Sequence, residues 1–208
     1  ICEIDVRVAA FGPDGQPIGG AGVIEVFIRW LRIEGPREAP KVNGRLRGLV
    51  QADAVAFLGD VVDAVEQHGY ACRTSFDGRC MWLQQEYQVM LATEDYLSVR
   101  NTLRRLMPGA VGDASEIRAE TFDLFTGRPI AIGDLFDPAT DWVPALSAAA
   151  IERLGNEPWT DDRRFTGAGP QAANFTRFNL TAGGLVLSFP PLTVGGSGTN
   201  TLSVTVPY

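Results

Sequence analysis

The 208-residue sequence predicts an α+β fold of mainly antiparallel sheets, with two principal helices packed on sheet faces. Three observations carry this reading. Strand-like stretches of period two recur in pairs joined by short turns, and apolar residues fall at helical spacing in only two stretches, Asn43 to Gln67 and Asp141 to Leu154. The strands also come in runs, whereas a doubly wound parallel sheet alternates them one by one with helices.

From the N-terminus, Ile4, Val6 and Val8 alternate with Glu3, Asp5 and Arg7, which predicts a strand over Cys2 to Phe11 that Pro13-Asp14-Gly15 ends. A second strand places Ile24, Val26, Ile28 and Trp30 on one face and Glu25 and Arg29 on the other, and the two suggest an antiparallel pair. Gly35 to Pro40 reads as an extended break, because each proline disfavours helix at the residue before it. Asn43 is then the expected N-cap of the longest helix, with Leu46, Val50, Ala54, Phe57, Val61 and Val65 as its apolar stripe and Gly69 as its C-cap.

Met81 to Thr93 and Tyr96 to Leu106 form an expected hairpin turning at Glu94-Asp95. Leu83, Tyr87, Val89 and Leu91 supply one face of its first strand, and Leu97, Val99 and Leu103 one face of its second. Past Asp137-Pro138, Asp141 is the expected N-cap of the second helix, whose first turn tolerates Pro144 and whose end is Gly155. Asn156 to Ala173 has little periodicity and reads as a long loop anchored by Trp159, a length that is often functional. Strands then flank the turn Thr181 to Gly184, and a last strand runs from Leu202 to Val206. The expected division is an N-terminal sheet and long-helix module over 1–106 and a C-terminal module over 107–208, packed as one compact unit.

The chain is organised around Ala119 to Phe136, AETFDLFTGRPIAIGDLF. Phe122 and Leu124 alternate with Thr121, Asp123 and Phe125, a strand with one well-buried face. Thr126-Gly127-Arg128 turns the chain, Pro129 belongs at a strand edge because it lacks an N–H, and Asp134 is placed to cap the turn holding Leu135 and Phe136. This stretch, together with Phe178 to Pro191 and more weakly Glu86 to Val99, resembles a family of extracytoplasmic bacterial domains of unknown function. That family includes the lysozyme-sensing ectodomain of anti-sigma factor V, a secreted mycobacterial immunogenic protein and the accessory modules of some peptidoglycan deacetylases. Where relatives carry a Gly-Gly-Ala-His type loop, this chain has Met107 to Asp113 without histidine, so no role of that histidine transfers. The resemblance implies a binding or sensing module at the cell envelope, periplasmic, secreted or a membrane-tethered ectodomain, with a lysozyme-like protein or a cell-wall glycan as ligand.

Composition agrees with a globular domain at 45% hydrophobic and 21% charged residues. A net charge of −7 without a basic stripe argues against nucleic acid and anionic membrane, and would steer the chain toward a basic partner. No apolar run approaches the ~20 residues of a membrane helix. Membrane insertion of this stretch is therefore not expected, with a removed anchor or signal segment left open. The first residue is Ile1, with neither Met nor signal peptide before it, as in a processed or trimmed secreted protein.

Cys72 and Cys80 flank the turn signal Asp77-Gly78, and a hairpin there would set them opposite one another. A disulfide would restrict the unfolded chain by about 2–3 kcal/mol on the loop-entropy model. Two buried thiols are the alternative, and Cys2 could pair with either; the resemblance to a secreted family favours the Cys72–Cys80 bridge.

His68 is the single histidine, at a helix C-terminus where the dipole favours a cation, and no Gly-x-Ser-x-Gly elbow accompanies it. No cofactor or metal is expected, since three cysteines and one histidine lack ligand spacing. Recognition is expected from Trp159 and Trp82 with Asp161 and Asp162, because large aromatics dominate interface energetics. The alternative is a carboxylate-dependent hydrolase of cell-wall glycan, with Asp123 and Asp134 as its candidate pair.

Overall fold

The computed structural model describes residues 2–9, 23–68, 81–107, 114–155, 166–194 and 201–208. In chain order its elements are β1 (Cys2–Ala9), β2 (Val23–Trp30), α1 (Ala39–His68), β3 (Met81–Ala92), β4 (Tyr96–Leu106), β5 (Ala114–Asp123), β6 (Arg128–Pro129), α2 (Trp142–Gly155), β7 (Phe178–Thr181), β8 (Gly184–Phe189) and β9 (Leu202–Val206). One sheet has six strands in the order β1-β2-β3-β4-β5-β6, and a second has three in the order β7-β8-β9. The fold is α+β.

β1 and β2 pair antiparallel, from Cys2 opposite Trp30 to Ala9 opposite Val23. β2 and β3 pair in parallel, with Ile24 beside Met81 and Ile28 beside Gln85. Parallel neighbours need a crossover connection, and α1 supplies it. The sequence suggested hairpins throughout and concealed this one βαβ step, because a crossover helix and a helix between two hairpins have the same periodicity.

The chain divides into two compact units, 1–32 with 43–86 and 102–114, and 33–42 with 87–101 and 115–208. In the first unit α1 buries Leu46, Val50, Phe57 and Val61, a stripe at spacings of three and four that excludes water from one helix face. The stripe passes through Asp53 and leaves Ala54 half-exposed. Asp53 is 7% exposed, and its Oδ2 accepts a 2.6 Å hydrogen bond from Nε2 of the fully buried Gln85 on β3. Helix α1 begins four residues earlier than Asn43, at Ala39. Pro40 falls in its first turn, where the missing N–H has no intrahelical partner to lose, so the proline starts the helix instead of breaking it. Gly69, Cys72, Cys80 and the Asp77-Gly78 turn lie outside the described residues.

In the second unit the three-stranded sheet has two unlike sides. Phe178, Leu180, Leu185, Leu187, Phe189 and Val204 face a core shared with Leu146, Ala150 and Leu154 of α2 and with Phe175. Phe175 and Phe189 meet edge to face, with centroids 6.4 Å apart. Burying a side chain such as Leu187 or Phe189 stabilises by about 1.5–3 kcal/mol. Asp141 does precede α2, Pro144 sits in its first turn, and Gly155 is its last residue. Gly184, at φ +148°, is required where it stands, because a Cβ there would strike the carbonyl of Val206 on β9.

The other side of the small sheet carries Asn179, Ser188 and Ser203 beside Val186. Ser98 Oγ on β4 accepts hydrogen bonds from Asn179 Nδ2 at 3.1 Å and from Leu180 N–H at 3.0 Å. Asn179 Nδ2 also donates to Val99 O at 2.8 Å. Thr121 Oγ1 on β5 lies 2.9 Å from Ser98 Oγ. A hydroxyl oxygen accepts two hydrogen bonds, so with both sites taken Ser98 donates to Thr121.

Candidate functional site

The signature stretch folds into a β5–β6 hairpin whose tip, 124–127, is held by its own backbone. Asp123 Oδ1 accepts from Phe125 N–H at 2.8 Å and Thr126 N–H at 2.9 Å, an Asx turn. Gly127 N–H closes onto Asp123 O at 2.8 Å, and Ile130 N–H returns to Thr121 O at 2.7 Å. Gly127 takes φ +70°, and a Cβ there would lie 2.9 Å from Cβ of Glu38, so glycine is required both for conformation and for space. Pro129 sits on the last strand of the sheet, where no ladder partner needs its N–H.

Leu124 turns inward at 7% exposed, while Phe125, its neighbour, is 88% exposed. A concavity of about 640 Å³ lies beside the ring, lined by Pro36, Arg37, Thr93, Glu94, Asp95, Leu124 and Phe125. The β3–β4 turn forms its far wall: Thr93 Oγ1 accepts from Tyr96 N–H at 2.9 Å, and Asp95 O accepts from Leu124 N–H at 2.7 Å. The second bond ties the two turns together, so the ring and the two carboxylates are presented by one preordered surface.

A second concavity of about 540 Å³ is lined mainly by apolar groups, among them Ile130, Ile132, Trp142 and Phe178. Trp142 stacks on Phe136 with centroids 5.0 Å apart and planes 4° from parallel. The indole packs over Gly133, at a distance where a Cβ on that residue would make ordinary contact with its Cζ2.

The structure brings the two sequence-proposed carboxylates to turns. Asp123 is occupied with the Asx turn. Asp134 is the third residue of the 3-10 turn Ile132–Leu135, and its Oδ2 reaches back to Ala131 N–H at 2.8 Å. It closes that turn from its third position instead of capping it from in front. Neither carboxylate lines either concavity. Trp82 is half-buried under the Arg104 guanidinium, 5.6 Å from its ring centroid. Trp159, Asp161 and Asp162 lie outside the described residues, as do Cys72 and Cys80. Among the described residues no group of three or more His, Cys, Asp or Glu could hold a metal ion. No helix there is long and apolar enough to cross a membrane.

Sequence reasoning did not single out Phe125, Glu94 or Asp95 and read them as strand and turn. The signal for Phe125 was present, since period two sets it opposite to Phe122 and Leu124 and directly before a turn. Nothing comparable marked Trp142, which looks like an ordinary first residue of an amphipathic helix.

No protein-family model matches the sequence, and no curated protein matches it. Solved structures do share the fold. A member of the DUF3298 family from Bacteroides fragilis superposes with TM-score 0.68 at 14% identity, covering 100% of this chain and 89% of that one. A DUF3298 family protein from Pseudomonas aeruginosa gives TM-score 0.53 at 10% identity, covering 100% and 90% respectively. At such identities the likeness is one of fold.

Proposed function

We propose that this chain is an extracytoplasmic binding or sensing module of the bacterial cell envelope, which holds a cationic, lysozyme-like protein or a cell-wall glycan without turning it over. The observation that carries this reading is Phe125, 88% exposed on a turn fixed by its own hydrogen bonds. A large ring held on a rigid support beside a concavity is what an interface anchor requires. Glu94 and Asp95 line the same concavity against one cation, Arg37, and with the net charge of −7 they favour a cationic ligand. The fold likeness to domains of unknown function is compatible with this reading and adds no activity to it.

Titration calorimetry against lysozyme and against soluble peptidoglycan fragments tests the proposal and separates the two ligand classes. Phe125→Ala is expected to weaken binding by about tenfold or more, the scale of a buried aromatic anchor. Equal binding by Phe125→Ala, binding of neither ligand, or cleavage of the glycan would each overturn it. Fractionation of the producing cells tests the compartment separately.

A further inference from the structure

Arg100 on β4 is partly buried, and its Nη2 donates to Ser188 Oγ at 2.9 Å and to Ser203 Oγ at 3.1 Å, on β8 and β9. Among the described residues no carboxylate pairs with it, and its Nε is buried with no hydrogen-bond partner. Burial alone draws this guanidinium below its ordinary pKa range. A guanidinium taken from water is normally repaid by an anion, and here it has only two neutral hydroxyls.

The hydroxyls have a definite polarity. Ser188 and Ser203 lie with their Oγ atoms 3.0 Å apart, Ser188 is 1% exposed and Ser203 is exposed. Each accepts one proton from Nη2. The proton of buried Ser188 has no acceptor among the described residues other than Ser203, so Ser188 donates to Ser203; both lone pairs of Ser203 Oγ are then filled and the Ser203 proton is left to point outward. Together with Nη1, which has no partner among the described residues, this makes a pair of donors on a cation that has no counter-charge among those residues.

We propose that Arg100, with Ser188 setting its orientation and Ser203 as a second donor, is a binding site for a small oxyanion, a carboxylate or a phosphate group. The site is separate from the Phe125 concavity, none of whose lining residues it uses, and it stands whether or not the binding reading of that surface is correct.

Thermal unfolding of the whole chain at constant ionic strength tests it, with phosphate and acetate titrated against chloride. Wild type is expected to gain stability saturably with at least one of the two, by about 3–6 °C at tenfold above the dissociation constant. Acetate alone would identify a carboxylate site, and phosphate alone a phosphate site. Arg100→Gln should abolish the saturable gain. Should that variant not fold, Ser203→Ala at its exposed position decides, with an expected weakening of about fivefold in the apparent constant. Stabilisation no greater than that by chloride, or an identical response from Ser203→Ala, overturns the proposal.

Discussion

Ser98→Ala is the substitution that most directly probes how the second unit is held together. Ser98 Oγ accepts from Asn179 Nδ2 and Leu180 N–H and donates to Thr121. Leu180 lies on β7, an outer strand of its sheet, and its N–H uses Ser98 as acceptor. Deleting the hydroxyl orphans that buried N–H, at about 1–3 kcal/mol, and removes the bond from Asn179, worth about 0.5–1.5 kcal/mol. Asn179 Nδ2 keeps Val99 O as an acceptor, so that donor is not stranded. The expected loss is about 2–4 kcal/mol, or a fall in Tm of roughly 5–12 °C for a chain of this size. Urea unfolding followed by circular dichroism gives the free energy directly, and Thr121→Val combined with Ser98→Ala closes a double-mutant cycle. The two losses should be less than additive by about 0.5–1.5 kcal/mol, because the Ser98–Thr121 bond is counted in both. A loss below about 0.5 kcal/mol with an unchanged slope would refute the reasoning, since no buried donor could then have been stranded.

Two further outcomes are expected from the signature turn. Gly127→Ala forces a side chain into a left-handed conformation and against Cβ of Glu38, and should destabilise by about 2–3 kcal/mol in urea unfolding. The Glu38 carboxylate is held below its ordinary range chiefly by the hydrogen bond from Lys41, so its contribution is complete above that range and disappears as pH falls through the depressed value. Wild type should therefore exceed Glu38→Gln in Tm near neutral pH, with the difference closing in acid; a difference independent of pH would show that the pair contributes nothing through charge.

Much of the fold was legible because it rests on periodicity. Ile24, Val26 and Ile28 alternate, Leu46 to Val61 fall at helical spacing, and both occupy the faces those periods predict. The parallel β2–β3 step was not legible, since strand direction depends on where a helix delivers the chain. The start of α1 was misplaced for a local reason, as Pro40 has opposite meanings inside a helix and in its first turn. Asp53 and Gln85 show a different limit. A buried polar pair made by residues 32 apart in sequence leaves no trace in either segment, and Ala54 beside Asp53 fits the apolar stripe equally well.

The candidate site was half legible, and the reason lies in β4 and β5. Those strands read as apolar scaffolding, yet their inward polar residues fix the presentation of Phe125. Thr121 on β5 is tied to Ser98 on β4, and three residues beyond Thr121 the Leu124 N–H is tied to Asp95 O, just before β4 begins. Two cross-links thus bracket the end of this strand pair, one buried and one at the rim, and the Asp123 turn hangs from the second. An apolar contact at Ser98 would stabilise as well but would tolerate sliding, whereas its directional bond to Thr121 fixes the register of β4 against β5, and its two bonds from Asn179 and Leu180 fix β7 against β4. The turn is held by its own hydrogen bonds without a ligand, so the proposed binding at Phe125 would forfeit little conformational entropy in the backbone, and a modest contact surface would then support measurable affinity.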